Sequence, residues 1–233
     1  MLAIGPNTDC YQPIERRFGL TRQVIETLLA FGHPFGIITK SALVLRDLDL
    51  LAEAARRNLV QVHVSVTTLD RELARQLEPR APTPERRLQA IAGLTEAGVP
   101  VSVLAAPMIP GLNEPELEAI LKAAREAGAR RAGYVLLRLP REVSELFRGW
   151  LEQRVPGRAR HVMELLQQSR GGHDNDSEFG QRMRGVGPLA ELLARRFDLA
   201  VRRLGLDGPE APLDLKQFKP PARAGDQLDL FGD

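Results

Sequence analysis

The chain has 233 residues, 43% hydrophobic and 27% charged, with 32 basic and 30 acidic side chains for a formal charge of +2. That is the composition of a globular protein with its own core, either one large domain or a domain with a tail. A single cysteine excludes a disulfide framework and a self-contained CxxC metal cage. There is no apolar run of spanning length and no basic-flanked leader, so the expected compartment is the cytoplasm and no membrane partner is expected.

Short apolar runs alternate with helical periods through residue 140. The first run, residues 2–4, ends in GPNTDCYQPIE, where Asn7, Thr8 and Asp9 gather. Residues 21–31 read as an amphipathic helix and 34–39 as a strand closed by Lys40 and Ser41. A helix over 44–57 and a strand over 60–66 follow. In that strand His63, Ser65 and Thr67 share one face at period two. A lone histidine there reads first as a hydrogen-bonded core residue. Next come a helix over 85–97, a strand over 100–106 and the run PMIPGLNEPE at 107–116. The helix over 114–127 has Asn113 as its expected N-cap and Gly128 as its stop. Residues 132–138 form the last predicted strand. The stop EAG at Glu96–Gly98 repeats as REAG at Arg125–Gly128, each directly before a strand. Five such units predict a parallel α/β sheet with right-handed crossovers. In a (β/α) barrel, chemistry gathers at the C-terminal strand ends, where these polar residues fall.

Beyond Arg141 the pattern is helical, over 143–153, 158–169 and 189–204, with a polar, Gly-rich stretch at 171–187. Residues 141–205 hold twelve Arg against nine acids, and 206–233 three bases against six acids. The Arg-weighted stretch reads as a solvated surface or as a face for DNA phosphates. DGPEAP and KPPARAGD lack core-forming residues and predict a flexible tail. The expected organisation is thus 1–140, a partial (β/α) barrel; 141–205, a helical extension; and 206–233, a tail.

PMIPGLNE resembles the adenine-binding loop of radical S-adenosylmethionine (SAM) barrels, GxIxGxxE. Ile109, Gly111 and Glu114 stand at its positions and Pro107 replaces the first glycine. Read by itself, the same run is also a tight turn with Asn113 or Glu114 capping a helix. The runs GPNTDCYQPIERR, TKSALVLRDLDLL, LEPRAPTPERRL, AGYVLLRLP and RGGHDNDSEFGQRMRG extend the resemblance over nearly the whole chain. Together they resemble the spore photoproduct lyase-like branch of the superfamily.

The resemblance implies a [4Fe–4S] cluster on a CxxxCxxC loop after a first strand, SAM as its chelating partner, and reductive cleavage to a 5′-deoxyadenosyl radical. With Cys10 alone, the expectation is a barrel with its first strand missing, inactive by itself, for which a separate N-terminal fragment is one partner. Lys40, which ends the second strand and is one of four lysines, is the expected anchor for the SAM carboxylate, and the resemblance puts the amino group near Asn7, Thr8 and Asp9. Ser65 would meet the ribose or methionine, and Ile109, Gly111 and Glu114 the adenine. Read bottom-up, Lys40 is equally a surface lysine at a strand end, and residues 7–9 an Asx turn. Cys10 lies near the position at which photoproduct lyases return a hydrogen atom. Arg138, Arg182 and Arg184 are candidates for substrate contact, with Asp176 and Phe179 in the same stretch. The other functional readings are a cluster-free (β/α) ligand-binding protein and a non-enzymatic partner-binding remnant.

At the C-terminus, Gln227, Leu228, Asp229, Leu230 and Phe231 spell QLDLF. This resembles the peptide by which bacterial replication and repair proteins dock on the DNA sliding clamp. The alternative is a latch whose apolar residues fold back onto the barrel.

Overall fold

The computed structural model describes residues 1–175, 182–209 and 212–221. Five strands lie side by side in chain order, every neighbouring pair parallel: β1 (Leu2–Ile4), β2 (Phe35–Thr39), β3 (Val60–Val66), β4 (Val101–Met108) and β5 (Arg131–Leu136). The sheet does not close, so β1 and β5 are edges. This is the partial (β/α) barrel that the alternation of runs predicts.

Helices α1 (Glu15–Phe18) and α2 (Leu20–Ala30) follow β1. A 3₁₀ turn (Ala42–Asp47) and α3 (Leu48–Arg56) follow β2; α4 (Arg71–Leu77) and α5 (Pro84–Glu96) follow β3. After β4 come a 3₁₀ turn (Glu114–Glu116) and α6 (Leu117–Glu126), and then α7 (Val143–Arg154), α8 (Ala159–Gln168) and α9 (Gly187–Leu204). Among the described residues no helix is long and apolar enough to cross a membrane.

Period two divides the sheet. Val60, Val62, Val64 and Val66 of β3 are buried in one core with Ile25, Leu51, Ile91 and Leu121 of the helices. Each such side chain stabilises the fold by about 1.5–3 kcal/mol. The alternate residues Gln61 and His63 are only half-buried. α9 adds Leu193 and Phe197 to the same core, whereas α7 and α8 bury Leu151, Val162 and Leu166 against Ile109 and Leu112. Of the helical extension, α7 and α8 are therefore packed on the loop after β4, and α9 on the core of the sheet.

Three local readings need correction. Asn113 makes no side-chain N-cap bond. It is fully buried and braces the turn instead: its Oδ1 accepts from Ile109 N, and its Nδ2 donates to the carbonyls of Thr67 and Pro107. The helix α4 stands in a stretch that the periodicity left blank, opened by Asp70, whose Oδ1 accepts from the N–H groups of Glu72 and Leu73. Part of the tail expected to be flexible is laid under the sheet. Asp207 bridges to Arg131, Asp214 N donates to Asn58 O, and Lys219 N donates to Phe31 O. Gln217 holds Arg57 O, and Phe218 meets His33 edge-on at 4.7 Å. Composition carries no trace of these bonds because their partners are main-chain groups far away in sequence.

Candidate active site

The C-terminal ends of β1 and β2 open on a cleft of about 1070 Å³, lined by Asp9, Tyr11, Arg16, Lys40, Arg80 and Arg86 among others. Gly5 makes its floor possible. With φ at +89° it turns the chain so closely over β2 that a Cβ would stand 2.2 Å from Ile38 O. Only glycine fits there. The turn carries Asn7 and Thr8 into solvent and brings Asp9 back over β2. Asp9 Oδ1 accepts from Thr39 Oγ1 at 2.7 Å and from Tyr11 N at 2.9 Å, and Oδ2 accepts from Lys40 N at 2.8 Å. The Asx turn and the rim position are thus the same structure.

Lys40 points its ammonium at Glu78, with which it forms an ion pair. Glu78 is held from the other side by Arg87 at 2.7 Å. Arg87 is 2% exposed and spends its remaining donors on Ser65 O, Thr67 Oγ1 and Pro82 O. Burial raises the Glu78 carboxyl, but the Arg87 and Lys40 charges outweigh it and hold Glu78 below the usual carboxylate range. Removing Arg87 would leave the largely buried carboxylate to Lys40 and Thr67, a loss of about 1–3 kcal/mol. Of the adjacent arginines, Arg87 is interior and Arg86 is on the cleft. The pairing of Glu78 with Arg87 spans a turn, so no helical or strand period in the sequence announces it.

A second ionic platform sits behind the cleft. Asp47 is wholly buried and accepts from Tyr11 Oη, Arg22 and Arg46. Glu15 caps α2 through the N–H groups of Leu20 and Thr21 and binds Arg46. Burial, and then the charge of Asp47, push the Tyr11 hydroxyl far above its ordinary value. These groups fix the loop that carries Asp9.

The other predicted residues are more scattered. Ser65 is buried, with its hydroxyl donating to Ala106 O. Ile109 is buried among α7 and α8 residues, and Gly111 lies directly beneath Leu165, His161 and Val162 of α8. Glu114 is paired with Arg196 of α9. The side chains expected around adenine are thus engaged with the helical extension and do not line the Asp9–Lys40 cleft. Arg138 is half-buried, and its Nε is buried without a hydrogen-bond partner among the described residues. Arg184 stacks over Tyr134 at 4.5 Å, and Arg182 O accepts from Arg170. These three arginines belong to the β5 side of the sheet, across from the cleft. Asp176, Phe179 and Gln227–Phe231 lie outside the described residues.

The groups implied by the resemblance fit unequally. A methionine end, with one ammonium and one carboxylate, fits the juxtaposition of Asp9 and Lys40. A [4Fe–4S] cluster does not fit. Cys10 is the chain's one cysteine, and among the described residues no three His, Cys, Asp or Glu side chains are grouped to hold a metal. Burial, followed by the charge of Asp9, pushes the Cys10 thiol up to about 12. It therefore stays S–H at neutral pH, the wrong form for a ligand.

Comparison with known proteins agrees with this architecture. The radical SAM superfamily profile matches residues 5–124. An uncharacterized protein of Mycobacterium tuberculosis (strain H37Rv) is 37% identical over 166 residues, which is 70% of this chain and 49% of that protein. One from Methanocaldococcus jannaschii is 33% identical over 109 residues, covering 47% and 40% respectively. The chain thus spans about half the length of the curated relatives it matches. Among solved structures, spore photoproduct lyase complexed with dinucleoside spore photoproduct superposes with a TM-score of 0.59 at 16% identity, over 84% of this chain and 57% of that one. A variant of that lyase with bound AdoMet and the same dinucleoside gives 0.53 at 15% identity, over the same 84% and 57%. The fold is that of these lyases, and the chain belongs to the radical SAM superfamily.

Proposed function

We propose that these residues form the methionine-binding rim of a radical SAM enzyme of the photoproduct-lyase kind, acting in the cytoplasm on a lesion in DNA. The observation that carries the reading is that Asp9 and Lys40, on adjoining strand ends, both line one cleft. Lys40 has three donors and spends one on Glu78, which leaves two for a carboxylate. Asn7 and Thr8 are exposed beside Asp9 to take the amino group. Adenine is assigned to Ile109, Gly111 and Glu114 on the resemblance alone. When bound to a reduced cluster, SAM supplies a carbon radical that abstracts hydrogen from a substrate. The 233 residues do not hold that cluster, so the chain by itself is expected to bind and not to turn over.

Two features support a DNA substrate. Arg16, Arg80 and Arg86 surround Lys40 on the cleft, a concentration of positive charge suited to phosphates. QLDLF at Gln227–Phe231 offers a peptide suited to the sliding clamp, its leucines and phenylalanine filling apolar pockets. Cys10 packs against the hydrophobic core, and hydrogen-atom return is assigned to it on the resemblance alone. Arg138, Arg182 and Arg184 remain candidates for substrate contact.

The misfit of the cluster favours a second reading, a cluster-free protein that binds a zwitterionic ligand at the same rim. Titration calorimetry with SAM, run beside anaerobic cluster reconstitution with a polypeptide supplying the thiolates, separates the two. Lys40→Ala should weaken SAM binding by one to two decades, about 1.5–3 kcal/mol for a lost charge-assisted bond. Unchanged affinity would remove Lys40 from the site. SAM binding that never becomes SAM cleavage would favour the cluster-free reading.

A further inference from the structure

Lys40 is held at both of its ends. Its main-chain N–H donates to Asp9 Oδ2 at 2.8 Å, and its ammonium pairs with Glu78, 38 residues away. A free lysine side chain at a strand end samples many rotamers, and a ligand that fixes one of them loses affinity to that ordering. Here the ordering is already done by a carboxylate that cannot follow the lysine. Glu78 Oε2 accepts from Arg87 at 2.7 Å and from Thr67 Oγ1 at 2.8 Å, which leaves Oε1 for Lys40. Arg87 and Thr67 are each 2% exposed, and Arg87 is itself fixed on Ser65 O and Pro82 O.

Charge decides between two roles for such a carboxylate. A carboxylate that only neutralised Lys40 would spoil it as an anchor for an anion. Among the described residues, however, Glu78 is the one acid paired with the buried Arg87. Two cations share one anion, so the group keeps one net positive charge. That charge stands at Lys40, which lines the cleft, whereas Glu78 does not. Glu78 therefore aims the ammonium without cancelling it.

We propose that Glu78 is a positioning residue, which holds the Lys40 ammonium at one point of the cleft wall so that a ligand carboxylate meets an oriented donor. The proposal rests on the reading that Lys40 takes the carboxylate of SAM. It adds that Glu78, which touches no ligand in the cleft, sets how strongly that carboxylate is bound.

The test is titration calorimetry of the full chain with two ligands, SAM and decarboxylated SAM, which keeps the adenosine, the sulfonium and an amine. The ratio of the two Kd values reads the carboxylate alone, because a general loss of fit weakens both ligands together. In the unaltered chain SAM should bind at least about tenfold more tightly. Glu78→Asp keeps the counter-charge for Arg87 but is one methylene too short to hold Lys40. It should bring the ratio to about threefold or less and leave the affinity for decarboxylated SAM within about twofold. Glu78→Gln, which keeps the length and loses the charge, should fall between; if it fails to fold, Glu78→Asp decides. An undiminished ratio in Glu78→Asp would overturn the proposal. So would a ratio that rises in Glu78→Gln, which would make Glu78 a competitor for Lys40, or equal weakening of both ligands, which would make its role structural. A ratio near one in the unaltered chain, or no binding of SAM, would instead sink the reading of Lys40 itself, and the proposal with it.

Discussion

The two edges of the sheet are finished in opposite ways. At β5, Leu136 N donates to Met183 O, and Arg170 reaches across to the carbonyls of Leu136, Leu137 and Arg182. Tyr134 packs on Phe197 of α9 at 4.8 Å, and Arg184 covers both rings. At β1 no described segment takes the outward groups of Ala3, and the adjoining side chains stand in solvent. A parallel edge is a template for any strand that meets it, so covering one and leaving the other bare sets where association can occur. The covered edge belongs to the stability of this chain.

The sharpest way to break that comparison is to uncover β5. Arg170 is 2% exposed and satisfies three carbonyls. With an unmet buried group costing about 1–3 kcal/mol, Arg170→Ala should destabilise the chain by about 3–5 kcal/mol in urea unfolding. A loss below ~1 kcal/mol would mean that the cover is incidental. Gly185→Ala tests the same cover through its backbone. Gly185 holds φ at +79°, and a Cβ would meet Ser169 O at 2.6 Å and Leu136 Cδ2 at 2.7 Å. Strain of about 1–3 kcal/mol is expected, read as a lower melting temperature.

The cover also has a pH signature. Asp174, which leads into this segment, accepts hydrogen bonds from Ser144, Arg148 and Gln167, and these hold its carboxyl down at about 2. Its folded-state value lies below its unfolded one, so its contribution is complete above about pH 4 and is lost as pH falls toward 2. In Asp174→Asn the melting temperature should be lower at neutral pH and should fall less steeply between pH 4 and 2. Parallel curves for the two proteins would remove Asp174 from the cover.

How far these features were legible depends on what encodes them. The five strands were visible because each is a short apolar run closed by a Gly or polar stop, and their parallel pairing follows from the helices between them. The rim residues Asp9 and Lys40 were visible because they end such runs. Arg87, Glu78 and Asp47 were not, since a buried ion network is a matter of which side chains meet across turns and leaves no period. Asn113 was misread because Asn before a helix has two uses, capping N–H groups or bracing a turn, and only the fold selects one. The course of residues 212–221 was hidden for the same reason. Gln217 and Lys219 bond to the main chain near Arg57 and Phe31, so a polar, Pro-rich stretch looked unattached. Gln217→Ala should cost about 1 kcal/mol, the net worth of a hydrogen bond, without touching SAM binding.

The smallest expected effect is the most discriminating. Val24 is 42% exposed, on the flank of α2 turned away from Arg22 and its acidic partners. If that flank is a surface of this chain alone, Val24→Glu should change stability by no more than ~0.5 kcal/mol, as exposed substitutions away from special features do. The new carboxylate stands beside the outward edge of β1, where charge discourages strand pairing. Aggregation of the purified chain, followed by light scattering against concentration, should therefore fall while the urea midpoint stays in place. The two readouts move apart only if Val24 lies on an interface and outside the core. A destabilisation above ~1 kcal/mol would make the stripe part of the internal packing, and the contrast between a finished and an unfinished edge would go with it.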